Sequence, residues 1–464
     1  MTSSAPSAPL ADLARSYGVA TEYWDWQGQH VVVSAATIRA VLGALDVACA
    51  DDAEIAASLS DVESAPWHRL LPSCVLARQG TPARVAVHVP HGDAVTVWIE
   101  VEDRGGRREV RQLEHNVPPR EIDGQLRGEA LFEVPPDFPL GWHTLFAESG
   151  GGPAVGVPLI VVPDALTLPA AVDARGAKGL MTQLYAVRSA ASWGVGDLAD
   201  LADLALWSAR DLGCDFALIN PLHAAEPSGP MEPSPYLPTS RRFVNPLYLR
   251  VEDIAEVAYL PPAQRAEVEA LSARARRLNA ADTIDRDASW ALKKEALRIV
   301  FAAPRPPRRA LAFEAFRERE GVGLRDYATW CALVGEHGVA GWPSELEDVA
   351  SPAVAAERER LADEVAFHEW LQWVLDEQLA RVQDQATAAG MSVGVMQDLA
   401  VGVHPEGADA WALGTALARG VTVGAPPDPY NQLGQDWSQS PWRPDKLADR
   451  NVGCSLRIPL PLAT

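Results

Sequence analysis

The 464-residue chain is 48% apolar and 22% charged, with a mean hydropathy near zero and a formal net charge of −22. That length exceeds one ordinary domain, and the acidity argues against nucleic acid as a partner, since phosphate binding rests on Lys and Arg. No run of about 18 apolar residues is present to cross a membrane, and the N-terminus has no basic region followed by an apolar core.

Residues 1–65 read as a small helical region. "ATIRAVLGAL" carries Ile38, Val41, Leu42 and Leu45 at helical spacing. "EYWDWQGQHVVV" suggests a packed turn and a short strand, with the rings of "YWDW" (23–26) expected in the core. Over 66–165 the period switches to two. "ARVAVHVP", "AVTVWIEVED", "RREVRQLE", "EALFEVP", "WHTLFAES" and "VGVPLIVVP" are short, evenly spaced strands, with a hairpin turn at Asp103-Arg104-Gly105-Gly106. This is the pattern of an all-β sandwich.

An Ala-, Pro- and Gly-rich linker leads into 166–464, where strands and helices alternate. "LMTQLYAV" (180–187) reads as a strand. Asp197 caps a helix with Asp200 at its third position, and Gly213 ends it. "FALIN" (216–220) is a short strand of the kind buried in a parallel sheet. Residues 255–345 form a charged helical insertion, interrupted by "APRPPRRA" (303–310), a Pro-rich connector. A long helix near 353–389, carrying Val365, Trp370, Leu371, Val374, Leu375, Leu379 and Val382, stops at Gly390. "SVGVMQDLAV" then gives another strand. The order βαβ, helical insertion, αβ indicates an α/β barrel or a doubly wound sheet, with its chemistry on the loops after the strands. Five scattered cysteines lack metal-like spacing and fit reduced thiols in a cytoplasmic protein; no metal site is expected.

Three loops are expected on one rim. The first is "PSPYLPTSRRFVNPLYLRVEDI" (233–254), whose prolines forbid a helix and stiffen the backbone. The second follows Asp398 and carries Asp409 and Trp411. The third, "VGAPPDPYNQLGQDWSQSPW", carries Asp428, Tyr430, Asn431, Gln435, Asp436, Trp437 and Trp442. Aromatic faces with carboxylates, amides and hydroxyls suit a sugar ring, which offers an apolar face and a belt of hydroxyls. A phosphate site would want Gly-rich turns opening helices and a Lys or Arg, a combination none of the three loops has.

Six segments, "SWGVGDLADL", "INPLHA", "SPYLPTSRRFVNPLYL", "LRDYATWCAL", "GVMQDLAVGVHPEGADAW" and "GAPPDPYNQLGQDWSQSPW", together resemble the 4-α-glucanotransferases (amylomaltase or disproportionating enzyme, glycoside hydrolase family 77). The resemblance runs from about Leu180 to Trp442 in family order. It implies a (β/α)8 TIM barrel with helical insertions, acting on maltooligosaccharides or other α-1,4-glucans by a retaining double displacement, with no cofactor. By resemblance, Ser234, Tyr236 and Asn245 line the donor side of a cleft, Asp398 and Asp409 sit near the bound sugars, and Asp428, Gln435 and Trp437 belong to a mobile loop over the acceptor side. Closure of that loop would bring the glycosyl-enzyme to a sugar hydroxyl before water.

A retaining mechanism needs two carboxyl groups about 5–5.5 Å apart. The family's Arg-[Ile/Leu]-Asp-His pattern, which holds the nucleophilic Asp, does not occur here; Leu456-Arg457-Ile458 is followed by Pro459. Nucleophile and acid/base Glu are therefore expected beyond Thr464. The reading is of an incomplete barrel of three or four strands that lacks its catalytic carboxylates, since a complete one runs to about 250 residues without insertions. Three alternatives stay open: a non-catalytic glucan-binding protein, a hydrolase of related fold, and an interaction role for the sandwich. Oligomeric state is left open.

Overall fold

The computed structural model describes residues 4–102, 105–168 and 170–449. The expected turn residues Asp103 and Arg104 and the tail from Arg450, with Arg457 and Pro459, lie outside them.

Apolar spacing builds the helical start. Helices α1 (Ala8–Ser16), α2 (Ala35–Ala44) and α3 (Asp52–Ser64) bury Leu10, Leu13, Ile38, Leu42 and Ile55 against one another. Ser34 and Asp51 cap α2 and α3 by accepting from Thr37 N and Glu54 N. Between α1 and α2, β1 (Glu22–Trp24) and β2 (His30–Val32) pair as a hairpin. Here the expectation of core packing fails: Tyr23, Trp24 and Trp26 are all exposed. Three-residue strands with no third strand beside them leave the rings nothing to pack under.

The sandwich follows. Strands β3 (Val75–Arg78), β4 (Ala83–Pro90), β5 (Val95–Glu100), β6 (Arg107–Glu109), β7 (Arg111–Leu113), β8 (Arg120–Ile122), β9 (Gln125–Val134), β10 (Gly141–Ser149) and β11 (Val155–Val162) make two sheets. One has the order β3-β11-β10-β5-β6; the other runs β4-β9-β7, with β8 also on β9. Alternation turns Val85, Val87, Val97, Ile99, Phe132, Leu145 and Leu159 into the shared core.

After α4 (Ala170–Arg175), the parallel part begins with β12 (Gly179–Thr182), α5 (Leu198–Leu212) and β13 (Phe216–Ile219). The strand expected over 180–187 stops at Thr182, and 184–186 is a 3-10 turn. Asp197 and Asp200 form the capping box of α5, and Gly213 ends it in the left-handed region at φ 61°. Strands β14 (His223–Ala224) and β15 (Ser240–Val244) then pair antiparallel. The insertion comprises α6 (Pro262–Arg276), α7 (Arg286–Phe301) and α8 (Pro307–His337), which breaks at Gly321. The long helix expected over 353–389 is two, α9 (Pro352–Arg360) and α10 (Ala362–Ala388). The expected apolar strand after Gly390 is confined to β16 (Gly394–Gln397).

Among the described residues the parallel sheet has the order β12-β13-β16. One face packs on α5 and α10 through Ala205, Ala217 and Ala386. The other carries the cross-strand row Met181, Leu218 and Met396, with Met181 79% and Met396 42% exposed.

Buried charges fix the segment after β15 to the start of α5 and to α7. Arg250 reaches Asp197 at 2.6 Å and Asp200 at 3.0 Å, and Lys293 donates to Leu247 O and Leu249 O. After α11 (Ala408–Leu413), the strands β17 (Val423–Ala425) and β18 (Gln435–Gln439) form an antiparallel ribbon, followed by α12 (Pro444–Asp449). The third expected loop is therefore not the exit of a parallel strand. Proline-rich sequence masked a short ribbon. Arg443, buried, binds Asp46 and Leu45 O and so joins this end of the chain to the helical start.

Candidate functional site

Just past β13 stands Asn220, whose buried side chain accepts from Leu184 N at 2.7 Å and donates to Pro221 O and Tyr248 Oη. It pins the start of the loop 221–239. Helix α7 pins the loop's outer side: Trp290 Nε1 donates to Pro227 O at 3.0 Å, and Asp287 accepts from Met231 N at 2.9 Å. With Pro233, Pro235 and Pro238 restricting the backbone, Tyr236 is held by its surroundings rather than by burial; it is 44% exposed.

Tyr236 is where the three segments meet. Its hydroxyl donates to Asp398 Oδ2 at 3.0 Å, just past β16. Its carbonyl oxygen accepts from Gln439 Nε2 at 2.7 Å, on β18. Partial burial and the Asp398 hydrogen bond raise the Tyr236 pKa, so the phenol stays a donor. Asp398 is positioned by the sheet, its N–H donating to Ile219 O at 3.0 Å, while its Oδ1 accepts from Leu399 N. Beneath it lies His223. Burial, and then the charge of Arg241, bring the His223 pKa down to about 4 against the opposing pull of Asp398. The neutral ring accepts from Ala400 N at 3.2 Å and steadies the Asp398 loop.

Ser234, Tyr236, Leu237, Val401, Trp437 and Gln439 line an open cleft of about 350 Å³. Of the residues expected at the site, the cleft brings Ser234, Tyr236 and Trp437 together, with Asp398 joined through the Tyr236 hydroxyl. Others fall elsewhere. Asn245 is buried, its Oδ1 accepting from Leu247 N, and it faces an adjoining tight space of about 20 Å³ that shares Ser234 and Leu237 with the cleft. Asp409, expected near the bound sugars, lies off the lining of this cleft. It is 2% exposed and accepts from Ser240 Oγ and Arg241 N, both at 2.8 Å, so it ties α11 to β15 behind the wall. Burial pushes its pKa up; Arg242, the Arg241 N–H and Ser240 pull it back. Asp428 closes the ribbon's tip by accepting from Tyr430 N and Asn431 N. Gln435 accepts from Trp437 Nε1 at 3.1 Å and orients the indole.

Gln439 was not singled out from the sequence. Alternation alone does not find it, because the β17–β18 register shifts and Ser438 takes φ 57°; only the fold brings Gln439 beside Trp437. Its amide orientation is set by the Tyr236 carbonyl, which needs a donor, so Oε1 points away and has no hydrogen-bond partner. Gly402 packs against that oxygen; a Cβ there would lie 2.8 Å from it. Among the described residues no cluster of three or more His, Cys, Asp or Glu is arranged to hold a metal. The cleft lining contains no carboxylate pair.

Parallel strands that carry a cleft at their C-terminal ends define an α/β protein of the strand-end-site class. The 4-alpha-glucanotransferase family model of glycoside hydrolase family 77 matches residues 182–453, and the MalQ N-terminal beta sandwich model matches 70–163. The chain belongs to the 4-alpha-glucanotransferase family. It is 51% identical over 459 residues to the 4-alpha-glucanotransferase of Mycobacterium tuberculosis, covering 97% of this chain and 63% of that protein. The Haemophilus influenzae enzyme of the same name is 30% identical over 343 residues, 70% of this chain and 49% of that one. The crystal structure of amylomaltase from Corynebacterium glutamicum superposes with a TM-score of 0.87 at 44% identity, over 96% of this chain and 62% of that one. The chain thus spans just under two thirds of the length of its mycobacterial relatives, and its fold is amylomaltase-like with an N-terminal β domain.

Proposed function

We propose that this chain forms the sugar-holding wall of a 4-α-glucanotransferase, which moves a segment of an α-1,4-glucan to the 4-hydroxyl of an acceptor sugar by a retaining double displacement. The observation that carries this reading is the convergence of three distant segments on Tyr236. Trp437 and Tyr236 offer plates for the apolar faces of glucose rings, and Ser234 and Asp398 offer hydrogen-bonding edges. Asn245 and Asp409 act from behind by holding backbone, while Asp428 and Gln435 shape the ribbon over the acceptor side. The nucleophile and acid/base come from outside the residues of this cleft, since its lining has no paired carboxylates. A related amylomaltase from Streptococcus agalactiae has been crystallised with acarbose, which fits oligosaccharides as ligands of this fold.

The same reading takes the region from 166 onward as part of a (β/α)8 barrel after a helical segment (1–65) and a sandwich (66–165). The row Met181, Leu218 and Met396, exposed at both methionines, supports it, because a barrel turns one face of each strand into an interior filled by side chains. A cytoplasmic location fits the free thiols Cys49, Cys74, Cys214 and Cys331.

Tryptophan fluorescence with maltotriose, followed by product analysis, tests the proposal. Saturable quenching that Trp437→Ala abolishes is expected. Absence of quenching overturns the sugar wall. Glucose with longer oligosaccharides would place the carboxylate pair within this chain and overturn its assignment elsewhere. Glucose and maltose alone would make the protein a hydrolase.

A further inference from the structure

The hairpin β1–β2 carries three aromatic rings that nothing in the cleft uses. Tyr23 is 43%, Trp24 71% and Trp26 46% exposed. Other exposed rings, such as Trp142, Trp207 and Tyr259, stand singly along the chain, whereas these three fall within four residues. We infer that this arm is a second glucan-binding surface, taking a neutral α-1,4-glucan chain against Trp24 and Trp26.

Cross-strand pairing puts Glu22, Trp24, His30 and Val32 on one face. The Trp24 and His30 rings lie 5.1 Å apart, and His30 Nε2 bonds Glu22 Oε2 at 3.1 Å. An aromatic plate therefore stands beside a polar pair that still has a carboxylate oxygen and a ring nitrogen to offer. The turn adds two more amides, with Gln29 Nε2 donating to Gln27 Oε1 at 3.0 Å. Beside Trp24 stand Glu22 and His30, with unspent hydrogen-bonding capacity, and the exposed Val32, whose apolar surface joins the indole as a seat for a sugar's C–H face.

The arm is also set in advance. Asp25 Oδ1 accepts from Gln27 N and Gln29 N, Asp25 N donates to Gln29 O, and Gly28 takes φ 76°. Val33 N closes the base on Thr21 O. Ligand binding then orders little backbone. Glu22 and Asp25, on a chain of net charge −22, disfavour nucleic acid and anionic membranes and leave neutral polymers unaffected. A polymer held at the arm keeps its other residues near the protein, raising their effective concentration at the cleft. The inference extends the proposed function, since the polymer is the same, but it concerns a different surface.

Native electrophoresis through gels containing amylopectin, with dextran gels as control, reads this affinity. Four forms are compared: wild type, Trp24→Ala/Trp26→Ala, Trp437→Ala, and Tyr23→Ala. Amylopectin should retard wild type, and Trp437→Ala should lose only the part of that retardation that the cleft supplies. The double Trp variant should lose about tenfold in affinity, the scale of truncating an aromatic anchor, with an unchanged thermal melt. Equal retardation of the double variant overturns the inference, as does no retardation of wild type. So does a dimer in sedimentation that dissociates in the double variant, since a second copy would then occupy the arm. Failure of the cleft is separate: it appears as maltotriose quenching that Trp437→Ala leaves untouched.

Discussion

Tyr236 and Asp398, 162 positions apart in the chain, meet at 3.0 Å through the phenol hydroxyl and one carboxylate oxygen. That bond closes the cleft wall between the loop after β13 and the end of β16. Tyr236→Phe keeps the ring and removes the donor. Because Tyr236 is 44% exposed and Asp398 can find water, the stability change should stay within about 1 kcal/mol. Maltooligosaccharide affinity should fall by about fivefold to tenfold as Asp398 loses its fixed orientation. Fluorescence titration beside a thermal melt separates the two effects.

Gln439 gives a different signature. Its Nε2 serves Tyr236 O, while its Oε1 is buried without a partner. Gln439→Leu loses one hydrogen bond and also removes an unsatisfied acceptor, and each is on the order of 1 kcal/mol with opposite sign. Urea unfolding should therefore show little net change. The ribbon, no longer tied to the loop, should hold Trp437 less firmly, so maltotriose quenching weakens. A fall in stability of about 3 kcal/mol would mean the amide is held by more than Tyr236.

Asp409 should behave as a structural residue. Asp409→Ala strands the Ser240 hydroxyl and the Arg241 N–H in a buried site and leaves Arg242 with Asp326 but without Asp409 as a nearby carboxylate. Unpaired buried groups of this kind cost about 2–4 kcal/mol together. Urea denaturation should show the loss, and Asp409→Asn should recover part of it by keeping one acceptor. Sugar affinity per folded molecule should hardly move.

Which parts of this were legible follows from the range of the interactions involved. The Asp197–Asp200 box, the Gly213 stop and the "FALI" strand are local events, and local residue types declare them. That β12, β13 and β16 would be parallel followed from strand–helix alternation, because a parallel pair needs a crossover, whereas their order came only from the fold. Burial of single polar groups was not legible: Asp409 and Asp398 are alike in sequence terms, and only the fold decides that one is enclosed by Ser240 and Arg241. Nor was the exposure of Trp24, since a three-residue strand does not say what lies beside it. The ribbon β17–β18 was hidden by its prolines, which are compatible with edge strands as well as with loops.

The glycine of "SWGVGDL" makes a steric prediction. A Cβ at Gly196 would lie 2.1 Å from both Leu184 O and Val187 O, which are backbone atoms of the turn after β12 and cannot swing aside. Gly196→Ala must displace that turn or the start of α5. A loss of about 3 kcal/mol or more is expected, in the range of severe overpacking. An unchanged melting temperature would show that the turn moves freely.

Lys293 makes the pH prediction. It is fully buried and donates to Leu247 O at 2.6 Å and Leu249 O at 2.8 Å. Burial lowers its pKa to about 8 from the ordinary 10.5; Asp197 opposes this, Arg250 adds to it, and Glu252 and Asp200 oppose it more weakly. Between those two values the unfolded chain binds more protons at this site than the folded one. Stability therefore gains a rising contribution from Lys293 as pH climbs from about 8 to about 10.5, with a slope of at most about 1.4 kcal/mol per pH unit. Below pH 8 both states are protonated and the cost of burying the charge is constant. Lys293→Met removes the titration and leaves two carbonyls without donors, so it should be destabilised yet lack that rise. The difference in unfolding free energy between wild type and variant, measured from pH 7 to 10, should widen with pH. A difference that stays flat would mean that Lys293 keeps its ordinary proton affinity despite its burial.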